Sequence, residues 1–313
     1  MKAIIVGVDG QDGRLLKELL LNKGFDVIGI NRFELITQHN EKVPFSIFNA
    51  QQVKELVLSQ TPSQIYYLAG FHHSSEEETI SASIVEESYK VHVFGLLNFL
   101  EAIKTVSKNT HLFYAGSSLM FGDPKVSVVT EETKLLPKCI YGITKVAGYH
   151  TVRMYREVHK IFAVTGILFN HESNFRKEKF LSKKVIKAAV EIKKGLRKEL
   201  VLGDLSSKTD WGYAPDYVKA MNLMLTVSVP DDYIIATGEL HTVSEFVETV
   251  FRCLNLDYKK YVKQDISLIK RKKPEFAGSN EKIYKKLGWK PSLNFEEMIR
   301  ALVREEVVRG ENA

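Results

Sequence analysis

The sequence predicts an α/β protein built on a parallel β-sheet with helices on both faces, and three observations predict it. Short runs rich in β-branched and aromatic residues alternate with longer runs of helical periodicity. A glycine-rich turn separates the first such run from the first helical one. The 313 residues, 44% apolar and 26% charged, have the size and balance of an ordinary globular chain. Strands that alternate with helices need crossover connections, which make neighbouring strands parallel and bury them on both faces.

The first element, Lys2–Val6, is a continuous apolar run and reads as a buried strand. Gly7, Gly10 and Gly13 follow in GVDGQDG, a GxxGxxG turn that opens a helix. Gly7 permits a tight turn, Gly10 a close approach of backbone to a pyrophosphate, and Gly13 close packing of helix on strand. The helix start supplies N–H groups and a positive dipole end for phosphates. Leu15, Leu16, Leu19 and Leu20 share one face of that helix, and Gly24 is placed to end it. Asp26–Ile30 is the second strand and runs into Asn31 and Arg32. An acidic residue at this point would hydrogen-bond the ribose hydroxyls of NAD, whereas the Arg32 guanidinium suits a 2′-phosphate. The cofactor expected is therefore NADP, with NAD as the alternative. Further on, Gln64–Leu68, His111–Ala115 and Ala163–Phe169 read as strands. Val53–Leu58 and Tyr89–Lys104 read as helices between them. There is no repeat, low-complexity stretch or Pro/Gly/Ser linker. The character of the chain changes near Asn170, where a basic segment begins.

Composition excludes several classes. No apolar run reaches the roughly 18 residues of a membrane-spanning helix. The amino terminus enters a strand at once and shows no secretory signal. Cys139 and Cys253 are the only cysteines, which excludes a disulfide framework or a cysteine zinc site and fits a reducing cytoplasm. No metal site is expected. The net charge is +6, and Arg176 to Lys198 holds ten Lys or Arg against two Glu. Val185, Ile186, Ala189, Val190 and Ile192 make this segment a solvated helix with one apolar stripe. It could also form a basic rim that attracts a small anionic substrate. No nucleic-acid motif accompanies it.

The chemistry is carried by Tyr141-Gly-Ile-Thr-Lys145, a YxxxK spacing that places a phenol and an ammonium on one helix face. The ammonium, with the charge of an oxidised nicotinamide, is expected to lower the phenol pKa, so that a tyrosinate can take a proton from a sugar hydroxyl. Upstream, the strand ending in Tyr114-Ala-Gly brings Ser117 and Ser118 to its carboxyl end, where Ser117 could hydrogen-bond the same hydroxyl.

These pieces resemble the extended short-chain dehydrogenase/reductase family and, within it, the GDP-mannose 4,6-dehydratases. The resemblance rests on VGVDGQDGRLL at 6–16, AVTGILFNHES at 163–173, LGDLSSKTDWGYAPDYVKAMNLML at 202–225, DDYIIATGELHTVSEF at 231–246 and KKLGWKPSLNFEEMI at 285–299. It implies a doubly wound Rossmann sheet over residues 1–169, interleaved with a smaller sugar-nucleotide lobe over 170–313. It places NADP contacts at Gly7, Gly10, Gln11, Asp12, Gly13, Arg32, Leu68, Ala69, Gly70, Phe71, Tyr141, Lys145, His171 and Arg176. Ser117 falls where the dehydratases carry a catalytic threonine, and Tyr141 is the catalytic tyrosine. Substrate contacts are implied at Ser117, Ser118, Asn170, Lys179 and Lys272. The resemblance also implies a homodimer formed by the helices at Tyr89–Lys104 and Tyr141–His159.

The departures from that pattern shape the functional expectation. The dehydratases use a glutamate two residues after the threonine to remove the C5 proton, and here that position is Leu119. An arginine before Asp210-Trp211-Gly212 is replaced by Thr209, a nucleotide-gripping arginine by Lys272, a substrate-lobe asparagine by Lys179, and an adenine-edge aspartate by Ser46. The loop after Arg32 is shorter. The expectation is hydride transfer at C4 of a nucleotide sugar, GDP-linked by resemblance, without loss of water: a C4 dehydrogenase or epimerase. The alternatives are a dehydratase with another base, a 4-keto-sugar reductase, or an NADP-binding redox sensor.

Overall fold

The computed structural model describes residues 1–71, 81–268 and 274–311. Among these, eight strands form one sheet: β1 (Lys2–Val6), β2 (Asp26–Ile30), β3 (Glu34–Ile36), β4 (Lys42–Pro44), β5 (Gln64–Tyr67), β6 (His111–Ala115), β7 (Ala163–Leu168) and β8 (Tyr233–Ile235). Their order across the sheet is β8-β7-β6-β5-β1-β2-β3-β4. From β8 to β2 neighbours are parallel, and β3 and β4 close one edge as an antiparallel pair. The strands expected at 64–68 and 163–169 end one residue earlier than the sequence suggests. The short strands β3, β4 and β8 have no legible pattern, because three residues cannot display a period.

Helices cover both faces, and alternation along each buried strand explains why. Ala3 and Ile5 point to one face, with Leu16 and Leu20 of α1 (Gln11–Asn22). Ile4 and Val6 point to the other, with Val53 and Val57 of α2 (Ala50–Gln60). α3 (Ala82–Tyr89), α4 (Gly95–Val106) and α5 (Ile140–His159) extend this second face, where Leu96, Phe99 and Val152 are fully buried. Each such aliphatic or aromatic side chain contributes about 1.5–3 kcal/mol on leaving water. Gly24, with φ of +75°, follows α1 as expected.

Past Asn170 the chain divides its residues between two places. α6 (Leu181–Lys193), α8 (Val243–Cys253) and α10 (Phe295–Glu311) enclose a separate core with Val185, Ile186, Ala189, Val190 and Ile192 at its centre. α7 (Ala214–Met224) instead returns to the first sheet face beside α1, β8 joins the sheet edge, and α9 (Glu281–Leu287) packs Ile283 into the same core. The basic segment is the solvated helix: its apolar stripe is buried, while Lys187 pairs with Glu178 and Arg197 with Glu191. Among the described residues no helix is long and apolar enough to cross a membrane.

The run at Tyr89–Lys104 is not one regular helix. A single π turn, Lys90–Phe94, joins α3 to α4. Two hydroxyls from the sheet meet the carbonyls that this turn re-aims. The Tyr67 hydroxyl donates to Val91 O at 2.5 Å, and the Tyr114 hydroxyl to His92 O at 3.3 Å. Glycines on the two helices make room for them. A Cβ on Gly95 would stand 2.4 Å from the Tyr67 hydroxyl, and one on Gly148 would stand 2.2 Å from that of Tyr114. In an exposed helix, Gly→Ala gains about 0.5–1 kcal/mol. Gly148→Ala is expected to reverse that sign and destabilise by about 1–3 kcal/mol through overpacking. Denaturant unfolding checks this, and a variant as stable as the parent would contradict the packing described.

Candidate active site at the carboxyl end of the sheet

The glycine turn lies where β1 ends. Gly7 has φ of +96°, and its N–H donates to Ile30 O of β2 at 2.7 Å. A Cβ on Gly7 would lie 3.0 Å from Ala69 N, so this turn touches the loop that follows β5. A Cβ on Gly13 would lie 2.3 Å from Gly7 O. Gly10 is the N-cap of α1 and offers no side chain to the first turn, which leaves backbone N–H groups and the positive helix end for an anion. These three closures form a cradle that fits the diphosphate of a dinucleotide and that any side chain would fill.

Gln11 and Asp12, at the start of α1, reach across to the strand Asn170–Glu172. Gln11 Nε2 donates to His171 O at 3.0 Å, and Gln11 Oε1 accepts the Ser173 hydroxyl at 2.9 Å. Both Asp12 oxygens stand 3.0 Å from His171 Nε2, while His171 Nδ1 donates to Phe169 O at 2.6 Å. With an acceptor at each ring nitrogen, the ring is an imidazolium paired with a carboxylate. Burial opposes both charges, yet the partner outweighs it: Asp12 is held below its ordinary value and His171 above. The pair is lost as pH falls through the lowered Asp12 value, or rises through the raised His171 value. The His171 ring stacks on Tyr217 of α7, centroids 4.5 Å apart, a contact that nothing in the spacing announces. Arg176 Nε lies 3.2 Å from Glu172 Oε2, with its guanidinium 3.9 Å from the Phe180 ring centroid.

The YxxxK residues occupy the first turns of α5. Cys139 caps that helix, its Sγ accepting the Gly142 N–H at 3.4 Å. Lys145 is 1% exposed, and its Nζ donates to Ala115 O at the end of β6 at 2.8 Å. The ammonium stands 5.0 Å from the Tyr114 ring centroid and 5.6 Å from that of Tyr141. Burial pulls its pKa down to about 7. Burial pushes the Tyr141 phenol well up, with Arg176 opposing and Asp12 adding to the rise. The lowering of the phenol pKa was expected from the ammonium together with the charge of an oxidised nicotinamide. In the folded chain desolvation dominates, and the Lys145 charge is directed at Ala115 O.

Ser117 opens the turn Ser118–Met120, and its Oγ accepts the Leu119 N–H at 3.3 Å. Gly142 lets α5 press on this turn: a Cβ there would lie 2.5 Å from Leu119 O. Ser117, Leu119 and the Tyr141 helix start are thereby brought together. Leu119 is 37% exposed and Met120 is buried. Above them, the loop Leu68–Phe71 brings Gly70 over the tyrosine: its Cβ would lie 3.7 Å from the Tyr141 hydroxyl. Asn31 Oδ1 accepts the N–H groups of Phe33 and Glu34 at 3.0 and 2.8 Å and so shapes the turn after β2. The Arg32 side chain is 69% exposed, 3.5 Å from Glu87. Ser46 accepts the Phe48 N–H. Asn170 is exposed and pairs with Trp211, and Lys179 is exposed beside Phe180. Lys272 lies outside the described residues.

Lys145 makes the stability of the protein pH-dependent. Unfolded, the amine titrates near 10.5, and folded at about 7. Between these values the unfolded chain holds the extra proton, so stability rises with pH. Relative to Lys145→Met, the parent is expected to gain up to about 1.4 kcal/mol per pH unit above neutrality. Parallel stability curves for the two proteins would contradict the burial of a titrating amine.

A family model described as GDP-mannose 4,6 dehydratase matches residues 4–302. "GDP-mannose 4,6 dehydratase 2" of Arabidopsis thaliana is 35% identical over 327 residues, covering 97% of this chain and 86% of the relative. Among solved structures, RMD from Pseudomonas aeruginosa, complexed with NADPH, superposes with a TM-score of 0.83 at 18% identity, covering 98% of this chain and 99% of its own. A UDP-glucose 4-epimerase of Thermotoga maritima, solved with UDP-glucose, also gives 0.83, at 19% identity over 100% of both chains.

Proposed function

The chain belongs to the GDP-mannose 4,6-dehydratase family, and from that premise we propose that it transfers hydride at C4 of a nucleotide sugar without eliminating water. The observation that carries this reading is the composition of one corner of the site. Ser117, Tyr141 and Lys145 are assembled at the carboxyl end of the sheet, and the turn beside them offers Leu119 where the dehydratases place a base. An aliphatic side chain holds no exchangeable proton.

The glycine cradle, the first turn of α1 and the loop Leu68–Phe71 would hold NADP or NAD, with the exposed Arg32 available to a 2′-phosphate. The cofactor, when bound, supplies the hydride acceptor or donor and, oxidised, a positive charge. Tyr141 takes the proton of the C4 hydroxyl as the C4–H bond breaks, and returns it in the reverse direction. Its burial keeps the resting group a phenol, so it becomes a base only when that charge arrives beside it. Ser117 holds the same hydroxyl. Lys145, while protonated, places its charge beside the phenol and would hold the ribose side of the cofactor. Asn170, Lys179 and Arg176, on the lobe side, face an anionic diphosphate. GDP is the nucleotide proposed, from the family alone. The same residues serve a C4 epimerase or dehydrogenase in the oxidising direction and a 4-keto-sugar reductase in the other. A redox sensor has no use for the assembled Ser117, Tyr141 and Lys145. Two free cysteines suit a cytoplasmic protein.

Mixing the protein with GDP-, UDP-, CDP- and dTDP-sugars and following nicotinamide absorbance tests this reading. One class of sugar nucleotide should change the redox state of the cofactor. In Tyr141→Phe the change should be about 10²–10⁴ slower, with cofactor binding preserved. Cofactor binding without any response to sugar nucleotides, or a fully active Tyr141→Phe, would overturn it.

We also propose a homodimer built on the outer face of α4 and α5. Phe94, at the end of the π turn that leads into α4, is 54% exposed, and Ile143, Met154 and Val158 of α5 are 40%, 42% and 63% exposed. The last three recur along one side of α5 at helical spacing. Light scattering is expected to give twice the chain mass, and Met154→Lys with Val158→Lys should halve it. A monomeric parent would refute the assignment of that face.

A further inference from the structure

We propose that His92 is a positioning residue for Tyr141, a role that rests on the hydride-transfer reading above. His92 lies in the π turn Lys90–Phe94 and is fully buried. Such single π turns often mark functional positions because they re-aim one side chain out of the helical register. Here the re-aimed imidazole touches three parts of the site. Its Nε2 accepts the Phe71 N–H at 2.9 Å, at the end of the loop that carries Gly70. Its Nδ1 stands 2.7 Å from Thr144 Oγ1, on α5 one residue before Lys145. Its ring meets the Tyr141 ring edge-on, centroids 5.0 Å apart and planes at 84°.

A backbone N–H can only donate, so Nε2 carries no proton and the neutral ring bears its proton on Nδ1. Nδ1–H therefore donates to Thr144 Oγ1. The Thr144 hydroxyl passes its own proton to Ile140 O at 2.9 Å or Tyr141 O at 3.1 Å. This chain of donors has one direction, from the β5 loop through the imidazole into the first turn of α5. It fixes the Gly70 backbone relative to the phenol: a Cβ on Gly70 would lie 3.7 Å from the Tyr141 hydroxyl and 3.8 Å from His92 Nε2. The carbonyl of His92 is itself held by the Tyr114 hydroxyl, so the turn that presents the ring is anchored to β6. No aliphatic or aromatic hydrocarbon side chain supplies both an acceptor and a donor in one rigid plane.

Two variants and two measurements test this. His92→Phe keeps the ring and loses both hydrogen bonds, and His92→Gln keeps an acceptor for Phe71. In His92→Phe, kcat should fall about 10²-fold with KM little changed, as for a misplaced catalytic group. Exchange of the Phe71 amide should accelerate at least about tenfold, the loss of one buried hydrogen bond. His92→Gln should restore that protection and bring kcat to within about tenfold of the parent. Nitrogen NMR of the unmodified protein should show His92 Nε2 unprotonated and Nδ1 protonated. Unchanged kcat in His92→Phe, unaltered Phe71 exchange, or His92→Gln no better than His92→Phe would each overturn the proposal. So would a protonated Nε2 in the parent, which decides the matter even where a variant does not fold. If no sugar nucleotide reacts with the parent, the hydride-transfer reading fails by itself. Phe71 exchange and the ring nitrogens still report whether His92 holds the loop.

Discussion

The ammonium of Lys145, 2.8 Å from Ala115 O and between the rings of Tyr114 and Tyr141, has been taken almost wholly out of water. An effective penalty of several kcal/mol attaches to burying such a charge, and the architecture around it is arranged to bear it. The carbonyl at the end of β6 accepts a charge-assisted bond, and two aromatic faces add cation–π attraction. Tyr114 and Tyr67 fit beneath the helices only because Gly148 and Gly95 leave their hydroxyls space. Those hydroxyls in turn stabilise the π turn that directs His92 inward. Within the apolar layer between the sheet and α4–α5 these polar groups form one connected set, an arrangement that rigidifies a site when every member is satisfied.

Several carboxylates act as staples, and one of them, Asp12, joins the first part of the chain to the second. Asp12 and His171 join the dinucleotide helix to the strand Asn170–Glu172. Asp210 accepts the N–H groups of Thr237, Gly238 and Gly278 and the Thr237 hydroxyl, gathering three segments at one carboxylate. Asp216 accepts both the N–H and the hydroxyl of Ser292, and its carbonyl takes the Trp289 indole N–H. Gly212 lies so close to Tyr217 that a Cβ would stand 2.3 Å from its ring. Removing any of these carboxylates would leave buried donors without partners, which costs about 1–3 kcal/mol for each group.

This accounts for what was legible in the sequence. The long buried strands, the glycine turn and the YxxxK helix announce themselves through period and spacing, and Gly7, Gly13, Ser117, Tyr141 and Lys145 are proposed as site residues on the same grounds. The DWGYAPDYV segment carries the family resemblance, and the structure gives its residues structural duties: Asp210 and Asp216 as staples, Trp211 in the core of the lobe, Tyr217 against His171. Sequence reasoning missed His92 and Tyr217 because one polar residue inside an apolar run has no periodic signature. It expected an unbroken helix at Tyr89–Lys104 because a π turn changes register by one residue and leaves composition untouched. Spacing reveals the ammonium beside Tyr141 but not the depth of burial that raises the phenol pKa in the chain alone. Asn31, at the end of β2 where NAD-binding chains carry an acidic residue, closes the turn before Glu34 with its side chain.

The central proposal is that the site oxidises or reduces C4 without eliminating water, with Leu119 at the position where the resemblance to the dehydratases implies a base. Mass spectrometry of the sugar nucleotide recovered from a reaction in heavy water tests it most directly. The account predicts a mass change of two hydrogens or of none, with no deuterium introduced at C6. Recovery of a 4-keto-6-deoxy sugar, lighter by one water, would contradict it and would mean that another group serves as the base.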